Sequence, residues 1–275
     1  MIRHLFVGAA CAVFVFGARD VPARAGAFED AQARGRLMIG VRSDFPPFSF
    51  IDGEGRNAGF EIDIARYMAL RLMGSENRLR LVPMAAWQRV DGLMQRHADL
   101  VIASLAATDA RRAQVLFSEP YYASGTSLLV RKDAPIKAWA DLRGRRVCAI
   151  DGAGYDEQLA GLGSEVLRFT ATPAAFKALR DGGCDGLAYD DSGLAARLTD
   201  PEWSGDFHLP LPSLAVIPWA MALRREDDAF RAVIDPIVLE MQAGGFIVGL
   251  EAKWGLPASA YARDGMARAR KALHR

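Results

Sequence analysis

The spacing of apolar residues along the chain predicts short buried strands that alternate with amphipathic helices. An apolar run at residues 37–41 (LMIGV) predicts the first strand, and similar runs at residues 79–84 and 100–104 predict the next two. The helix between the first two strands has an apolar face formed by Phe60, Ile64, Met68 and Leu72. Strands that alternate with helices in this way are typical of a parallel sheet covered by helices on both faces.

A second helix is predicted between the second and third strands, with Trp87, Val90 and Met94 on one side. The same pattern then restarts, with strands at residues 146–150, 166–169 and 187–189 and helices at residues 155–162 and 174–179. The sequence therefore predicts a second α/β half. We find no low-complexity linker between the halves, so we expect strands to connect them.

A further extended segment at residues 215–223 precedes a helix that Gly244 should end. Pro236 lies inside the apolar pattern of this helix. Because proline removes a helical hydrogen bond, the helix either begins near Asp235 or is kinked there.

The first 25 residues have the pattern of a secretory signal peptide. Arg3 precedes an apolar run over residues 5–18 that is too short to span a bilayer, and Ala23 and Ala25 form a cleavage site before Gly26. We therefore expect an exported, periplasmic protein.

Composition agrees with a soluble globular protein large enough for two lobes. The chain has 275 residues, of which 51% are hydrophobic and 24% charged, and 34 basic side chains balance 33 acidic ones. This balance argues against intrinsic disorder and against a nucleic-acid partner.

Cys148 and Cys184 remain after the predicted cleavage. Cys148 lies early in one predicted strand and Cys184 lies just before another, so a disulfide is possible if those strands are parallel neighbours. Two buried thiols are the alternative.

Cofactor and metal chemistry have little support in the sequence. Gly152 and Gly154 follow a strand and open a helix, but Glu157 stands where a dinucleotide fingerprint needs its third glycine. A glycine turn of this kind can still hold a carboxylate with backbone N–H groups. The histidines that remain are His97, His208 and His274, and they lack the spacing of a metal site or a catalytic triad. We expect no cofactor.

Open parallel sheets bind ligands at the carboxyl ends of their strands, and several motifs lie at or beside such ends. In chain order they are GVRSDFPPF (40–48), GFEIDIA (59–65), DLVIAS (99–104), TDAR (108–111), FSEPYY (117–122), DLRG (141–144), CDGLAYD (184–190) and KWG (253–255). Together they resemble the solute-binding proteins of family 3, which serve ABC importers of polar amino acids. The resemblance covers roughly residues 36–256.

This resemblance implies an α/β, two-lobed type II periplasmic-binding-protein fold, in which each lobe is a mostly parallel sheet flanked by helices. It implies that lobe 1 comprises residues 27–127 and 221–275 and that lobe 2 comprises residues 128–220. Two hinge strands, near residues 126–131 and 217–223, should join the lobes. The ligand would lie between them.

Three side chains match the family's ligand-binding positions. Phe45 matches the aromatic that packs on the aliphatic part of the ligand, and Arg111 matches the arginine that pairs with the α-carboxylate. Asp190 matches the carboxylate that receives the α-ammonium. The chemistry is suitable, because a guanidinium binds a carboxylate in a planar fork and Thr108 can cap the helix that carries Arg111.

Other positions depart from the family pattern. Ala106 replaces a residue that usually carries a hydroxyl, and the loop at Gly154 lacks a hydroxyl that is also common. Ser104 stands where glycine is frequent, so its hydroxyl and backbone N–H are expected to compensate in part.

Arg42 stands where family members that bind cationic ligands often have an acidic residue. A second cation in the cleft favours an acidic amino acid or a small dicarboxylate as ligand. In the alternative, Arg42 points to solvent or pairs with Asp44.

The sequence thus predicts a monomeric binding protein that delivers a small polar solute to an ABC transporter permease. An enzyme on the same fold, similar to secreted cyclohexadienyl or arogenate dehydratases, is the alternative, with Asp156 or Glu157 as a possible acid. A sensory module is a third possibility.

Overall fold

The computed structural model describes residues 26–273, apart from the side chain of Glu157. The predicted signal peptide at residues 1–25 lies outside the described residues. The strands are β1 (Leu37–Val41), β2 (Asp44–Phe45), β3 (Ser49–Ile51), β4 (Asn57–Ala58), β5 (Leu79–Pro83), β6 (Leu100–Val101), β7 (Leu116–Arg131), β8 (Arg146–Ile150), β9 (Glu165–Phe169), β10 (Gly186–Asp190), β11 (Phe207–His208) and β12 (Leu214–Leu223).

Eleven helices lie within the same described residues. They are α1 (Ala27–Arg34), α2 (Phe60–Met73), α3 (Arg89–Met94), α4 (Asp109–Arg112), α5 (Asp156–Gly161), α6 (Thr172–Arg180), α7 (Asp191–Arg197), α8 (Pro201–Ser204), α9 (Asp228–Ala243), α10 (Phe246–Lys253) and α11 (Ala260–Leu273). Single 3₁₀ turns occur at Glu76–Arg78, Ala86–Gln88 and Trp139–Leu142.

The main sheet has the order β5-β1-β6-β12-β7-β10-β8-β9, with β11 paired to β7. At one end β1 lies parallel between β5 and β6, and at the other β8 lies parallel between β9 and β10. The long antiparallel strands β7 and β12 connect these two parallel parts. We call the part built on β1, β5 and β6 lobe 1 and the part built on β8, β9 and β10 lobe 2.

This arrangement confirms the predicted α/β fold with two parallel half-sheets. The predicted hinges lie within β7 and β12, which pair through Ser124 with Ile217 and through Tyr122 with Trp219. The exact lobe boundaries at residues 127/128 and 220/221 remain a prediction.

Helix α2 buries the predicted face against lobe 1, with Phe60, Ile64 and Met68 fully buried. Gly59 precedes it with a φ of 130°, a backbone conformation that glycine tolerates and other residues rarely adopt. Gly74 ends it in the left-handed conformation.

The helix predicted between β5 and β6 exposes two of the three residues on its apolar side. Trp87 is 47% exposed and Met94 is 48% exposed, whereas Ala86 and Leu93 are buried. The segment is a 3₁₀ turn followed by the short helix α3, so its side chains do not follow one α-helical period. The side chain that turns inward is Arg89, which is 2% exposed.

Helix α9 runs through Pro236, so it does not begin near Asp235. It begins after Asp227, whose carboxylate accepts the backbone N–H of Phe230, and Gly244 ends it as predicted. Among the described residues no single helix is long and apolar enough to cross a membrane, although α9 and α10 reach that length together with a bend of 64° between them.

Cys148 and Cys184 form a disulfide in lobe 2, with their Cα atoms 5.8 Å apart. Cys148 lies in β8, and Cys184 lies just before β10, the parallel neighbour of β8. The bridge therefore connects two adjacent strands of one lobe.

Candidate functional site

A cavity lies between the lobes, beside the point where β7 and β12 cross from one lobe to the other. Its walls come from the ends of β1, β6, β8 and β10, the positions at which open sheets bind ligands. The residues that line it are Arg42, Arg89, Ser104, Ala106, Thr108, Ser124, Gly125, Thr126, Ala153, Gly154, Tyr155, Gln158, Asp190, Ala215, Ile217 and Trp219. The structure thus brings together five of the seven predicted ligand-binding residues; Phe45 and Arg111 are not part of the lining.

Arg42 is buried at the end of β1 and pairs with Asp44, as the alternative interpretation of the sequence expected. Its Nε and Nη2 donate to Oδ1 of Asp44 at 3.0 and 2.9 Å, and Nη2 also donates to Oγ1 of Thr172 at 2.6 Å. Burial opposes the charge of Arg42, but Tyr189 and Asp44 outweigh it and raise its pKa. The guanidinium also lies 4.8 Å from the centre of the Phe45 ring.

Arg89 is a site residue that the sequence analysis missed. Its Nη1 donates to the carbonyl oxygens of Ala103 and Ser104 at 2.6 and 3.1 Å, and its Nη2 donates to the carbonyl of Gly152 at 2.9 Å. No carboxylate forms a salt bridge with it among the described residues. Burial, together with the charges of Arg111 and Arg42, lowers the pKa of Arg89 to about 9. This guanidinium therefore brings a positive charge to the cavity that only neutral carbonyls offset directly.

Ser104 does not supply the free donors that the sequence suggested. Its backbone N–H and its hydroxyl donate to the Glu61 carboxylate at 2.5 and 3.1 Å, and the hydroxyl of Tyr121 donates to the same carboxylate at 2.5 Å. Ser104 has a φ of 51°, which is uncommon for a residue other than glycine. The buried Glu61 side chain stabilises this conformation by accepting both donors.

Arg111 extends from α4 in lobe 1 to the glycine loop of lobe 2. Its Nη2 donates to the carbonyls of Gly152 and Ala153 at 2.8 and 3.0 Å, and its Nη1 donates to the carbonyl of Ala106 at 3.0 Å. Thr108 caps α4 as predicted, because its hydroxyl accepts the backbone N–H of Arg111. Burial lowers the pKa of Arg111.

Asp190 ends β10 and lines the cavity from lobe 2. Burial raises the pKa of its carboxyl to about 7, although a hydrogen bond from Tyr155 and the charges of Arg42 and Arg89 partly offset this effect. The carboxyl thus lies close to the balance between its neutral and its ionised form at neutral pH.

Aromatic side chains form one wall of the site, but Phe45 is not the ring that faces the cavity. Phe45 is 1% exposed and packs against Phe48, Tyr189 and Trp219 with centroid distances of 4.9, 4.9 and 6.2 Å. Trp219 of β12 lines the cavity instead, opposite Ala106, with which it forms an isolated β-bridge.

The charged groups around the cavity are mainly cationic. Among the described residues, the carboxylates whose charges act most on Arg42, Arg89 and Arg111 are those of Asp44 and Asp190. No group of three or more His, Cys, Asp or Glu side chains suitable for a metal ion occurs within residues 26–273. The arrangement can bind an anion through guanidinium groups and a cation through Asp190.

Comparison with known proteins assigns the family. Residues 37–257 match the sequence profile of the bacterial extracellular solute-binding proteins, family 3. The chain belongs to this family. The match extends over both lobes and includes every residue that lines the cavity.

Several relatives of this family 3 protein have described ligands. The chain is 33% identical over 182 residues to the glutamine-binding protein of Geobacillus stearothermophilus, covering 64% of this chain and 70% of that one. It is 29% identical to the L-cystine-binding protein TcyJ of Escherichia coli (strain K12), covering 83% and 86% of the two chains. The crystal structure of the cysteine-binding protein from Campylobacter jejuni superposes with a TM-score of 0.80 at 26% identity, covering 84% of this chain and 93% of that one.

These relatives are substrate-binding proteins and not enzymes, so the dehydratase alternative gains no support from them. Its proposed acid Asp156 forms a salt bridge with Arg168 at 2.7 Å and does not line the cavity.

Proposed function

We propose that this protein is the periplasmic binding component of an ABC importer and carries an amino acid between its lobes to a membrane permease. The observation that carries the proposal is the interlobe cavity, where guanidinium groups and the Asp190 carboxyl approach one small space. A zwitterionic amino acid needs this pair of partners, one for each of its charged groups. The ligands named for the relatives, glutamine and cystine, belong to the same chemical class.

In this proposal Arg111 binds the α-carboxylate and Asp190 binds the α-ammonium. Arg111 donates to neutral carbonyls in the structure, and an arriving carboxylate would replace them because an ionised acceptor forms the stronger hydrogen bond. Trp219 provides the apolar wall against which the aliphatic part of the ligand packs. Ser104, Ala106 and Gly154 shape the space around the carboxylate.

We further propose that the ligand is acidic. Asp44 neutralises one edge of Arg42, so Arg42 alone would be weak support for an acidic ligand. Arg89 strengthens the argument, because it is buried without a salt-bridge partner among residues 26–273, and burial together with the charges of Arg111 and Arg42 lowers its pKa. A side-chain carboxylate on the ligand would offset this repulsion among three guanidinium groups.

The proposal also includes the export signal at residues 1–25, the lobe boundaries given above and a monomeric state. Closure of the lobes on the ligand would be the signal that the permease reads.

Calorimetry on the mature protein, unfolded and refolded with its disulfide intact to remove carried-over ligand, tests the proposal. We expect binding of an L-amino acid, with glutamate or aspartate bound more tightly than the uncharged glutamine or asparagine. Ligand at a thousand times its Kd should raise Tm by roughly 8 to 16 °C. Binding of glutamine alone would keep the transport function and contradict the acidic ligand.

Arg111→Ala and Arg112→Ala form a matched pair of variants on α4. Arg112 donates to the carbonyl of Ala107 at 3.2 Å and lies over the Phe117 ring, whereas Arg111 reaches the glycine loop of lobe 2. We expect Arg111→Ala to weaken binding by about 10- to 150-fold, in line with about 1.5 to 3 kcal/mol for a charge-assisted hydrogen bond, and Arg112→Ala to change it less than threefold. Equal effects of the two variants would contradict the assignment of the α-carboxylate to Arg111.

A further inference from the structure

Two residues outside the proposed ligand contacts join the lobes directly. Asp44 belongs to lobe 1, where it follows β1, and Thr172 begins α6 of lobe 2. The backbone N–H of Thr172 donates to Oδ2 of Asp44 at 2.8 Å, and the Thr172 hydroxyl accepts from Arg42 at 2.6 Å. We propose that Asp44 and Thr172 are positioning residues that form an interlobe latch and set how long any ligand is held. This inference rests on the proposed function.

The local sequence of α6 shows why its first turn needs a partner from the other lobe. The residue at its N-cap is Ala171, which has no side-chain acceptor for the free N–H groups of the first turn. Asp44 supplies that acceptor from lobe 1, and a carboxylate at a helix N-terminus is favoured by the helix dipole. Opening of the cleft would therefore leave the Thr172 N–H without this partner.

The latch is charged and well shielded, which makes its two hydrogen bonds worth more than surface contacts. Thr172 is 2% exposed and Arg42 is 1% exposed. Burial opposes ionisation of Asp44, but Arg42 and the N–H of Thr172 outweigh it and lower the pKa of this carboxyl. Tyr189 completes the contact, since its hydroxyl lies 3.2 Å from the Thr172 hydroxyl.

The geometry separates the latch from ligand recognition. Neither Asp44 nor Thr172 lines the cavity, whereas Arg42 lines it and contacts both. A contact present only when the lobes are closed should affect every ligand by the same factor, because the ligand's own contacts are untouched. It should act on the rate of release more than on the rate of binding.

Thr172→Val and Asp44→Ala test the latch, with Asp200→Ala as the matched control. Valine keeps the shape of Thr172 but removes the hydroxyl that accepts from Arg42, and alanine at position 44 removes the carboxylate that accepts the Thr172 N–H. Asp200 caps α8 entirely within lobe 2, where its carboxylate accepts the N–H of Glu202 at 2.9 Å. Asp44→Ala and Asp200→Ala each lose a helix-end contact, whereas only Asp44→Ala and Thr172→Val lose a contact between the lobes.

We expect Thr172→Val to speed release of every bound amino acid about threefold to tenfold, and by the same factor for each, in stopped-flow displacement. Asp44→Ala should speed release of uncharged amino acids further, and the double variant should release them fastest, because the two changes remove different interlobe bonds. Asp200→Ala should lower Tm and leave release unchanged. Equal release rates in Thr172→Val and wild type, or a factor that differs among ligands, would overturn the latch.

Small-angle scattering keeps this test separate from the proposed function. If the wild-type protein bound no amino acid, the proposed function would fail while the latch could still be measured. The latch predicts that unliganded Asp44→Ala has a larger radius of gyration than unliganded wild type and Asp200→Ala. An unchanged radius would overturn the latch on its own.

Discussion

Asp190 is the residue whose chemistry is most sensitive to pH. It ends β10 in the cavity wall, and the titratable groups that act on it or on which it acts include Tyr155, Tyr189, Arg42, Arg89, Arg111 and Asp191. Burial raises its pKa to about 7, above the value of 3.8 for a free aspartate. In the unliganded protein this group therefore contributes stability below pH 3.8 that is lost as pH rises through about 7.

Burial favours the neutral form of Asp190, whereas the α-ammonium of a bound amino acid would favour the ionised carboxylate. We expect amino-acid affinity to be about tenfold lower at pH 6 than at pH 8, since Asp190 must lose a proton on binding below its pKa. Calorimetry at pH 6 in buffers of different ionisation enthalpy should detect release of close to one proton. Asp190→Asn should bind weakly with a flat pH profile, and a sloping profile in that variant would assign the proton to another group.

Sequence patterns identified the residues at strand ends and missed Arg89. The ends of β1 and β10 and the loop after β6 follow from apolar runs and family motifs, so Arg42, Ser104 and Asp190 could be placed at one edge. Arg89 was missed because its position on a supposed α-helix faces away from Trp87 and Met94. The 3₁₀ turn before α3 changes that orientation, and the carbonyls of Ala103 and Ser104 make burial of a guanidinium possible.

At the scale of elements, most strands of the sheet were predictable because each is a short apolar run between polar turns. β1 and β8 have the predicted bounds, and β9 and β10 differ from them by one or two residues. The pairing of β7 with β12 was harder to predict, because β7 has 16 residues and β12 pairs with it through three register shifts. Such shifts depend on contacts between distant segments and leave no periodic signal in the sequence.

The pairing of β8 with β10 leads to a prediction about the disulfide. Cys148 and Cys184 close a segment with a sequence separation of 36 residues. Closing a loop of that length is expected to stabilise lobe 2 by about 4 kcal/mol. We expect reduction to lower the free energy of unfolding by about this amount in urea titrations, without a change in amino-acid specificity, since neither cysteine lines the cavity.

The double variant Cys148→Ala, Cys184→Ala is the control for reduction. It should unfold at the midpoint of the reduced wild type and should not respond to dithiothreitol. Titration of two free thiols in the unfolded, unreduced mature protein would show that the bridge does not form.

At the scale of the whole molecule, function depends on how closely the lobes approach, and glycines allow the closest contacts. Gly193 lies in α7 of lobe 2, directly against the Phe45 ring of lobe 1. A Cβ at this position would lie 2.5 Å from Cε2 and 2.8 Å from Cζ of Phe45. The ring has little freedom to move, because Phe48, Tyr189 and Trp219 surround it in the buried aromatic wall.

We therefore expect Gly193→Ala to prevent full closure and to raise the Kd of every ligand at least tenfold, although Gly193 does not line the cavity. With saturating ligand, small-angle scattering should give a larger radius of gyration for this variant than for wild type. Gly161→Ala adds the same methyl group to α5 of lobe 2, where nothing lies within 4 Å, and should leave Kd and radius unchanged. If Gly193→Ala instead closed and bound like wild type, the Phe45 ring must be able to move aside. Close packing of the lobes at Phe45 would then not limit binding.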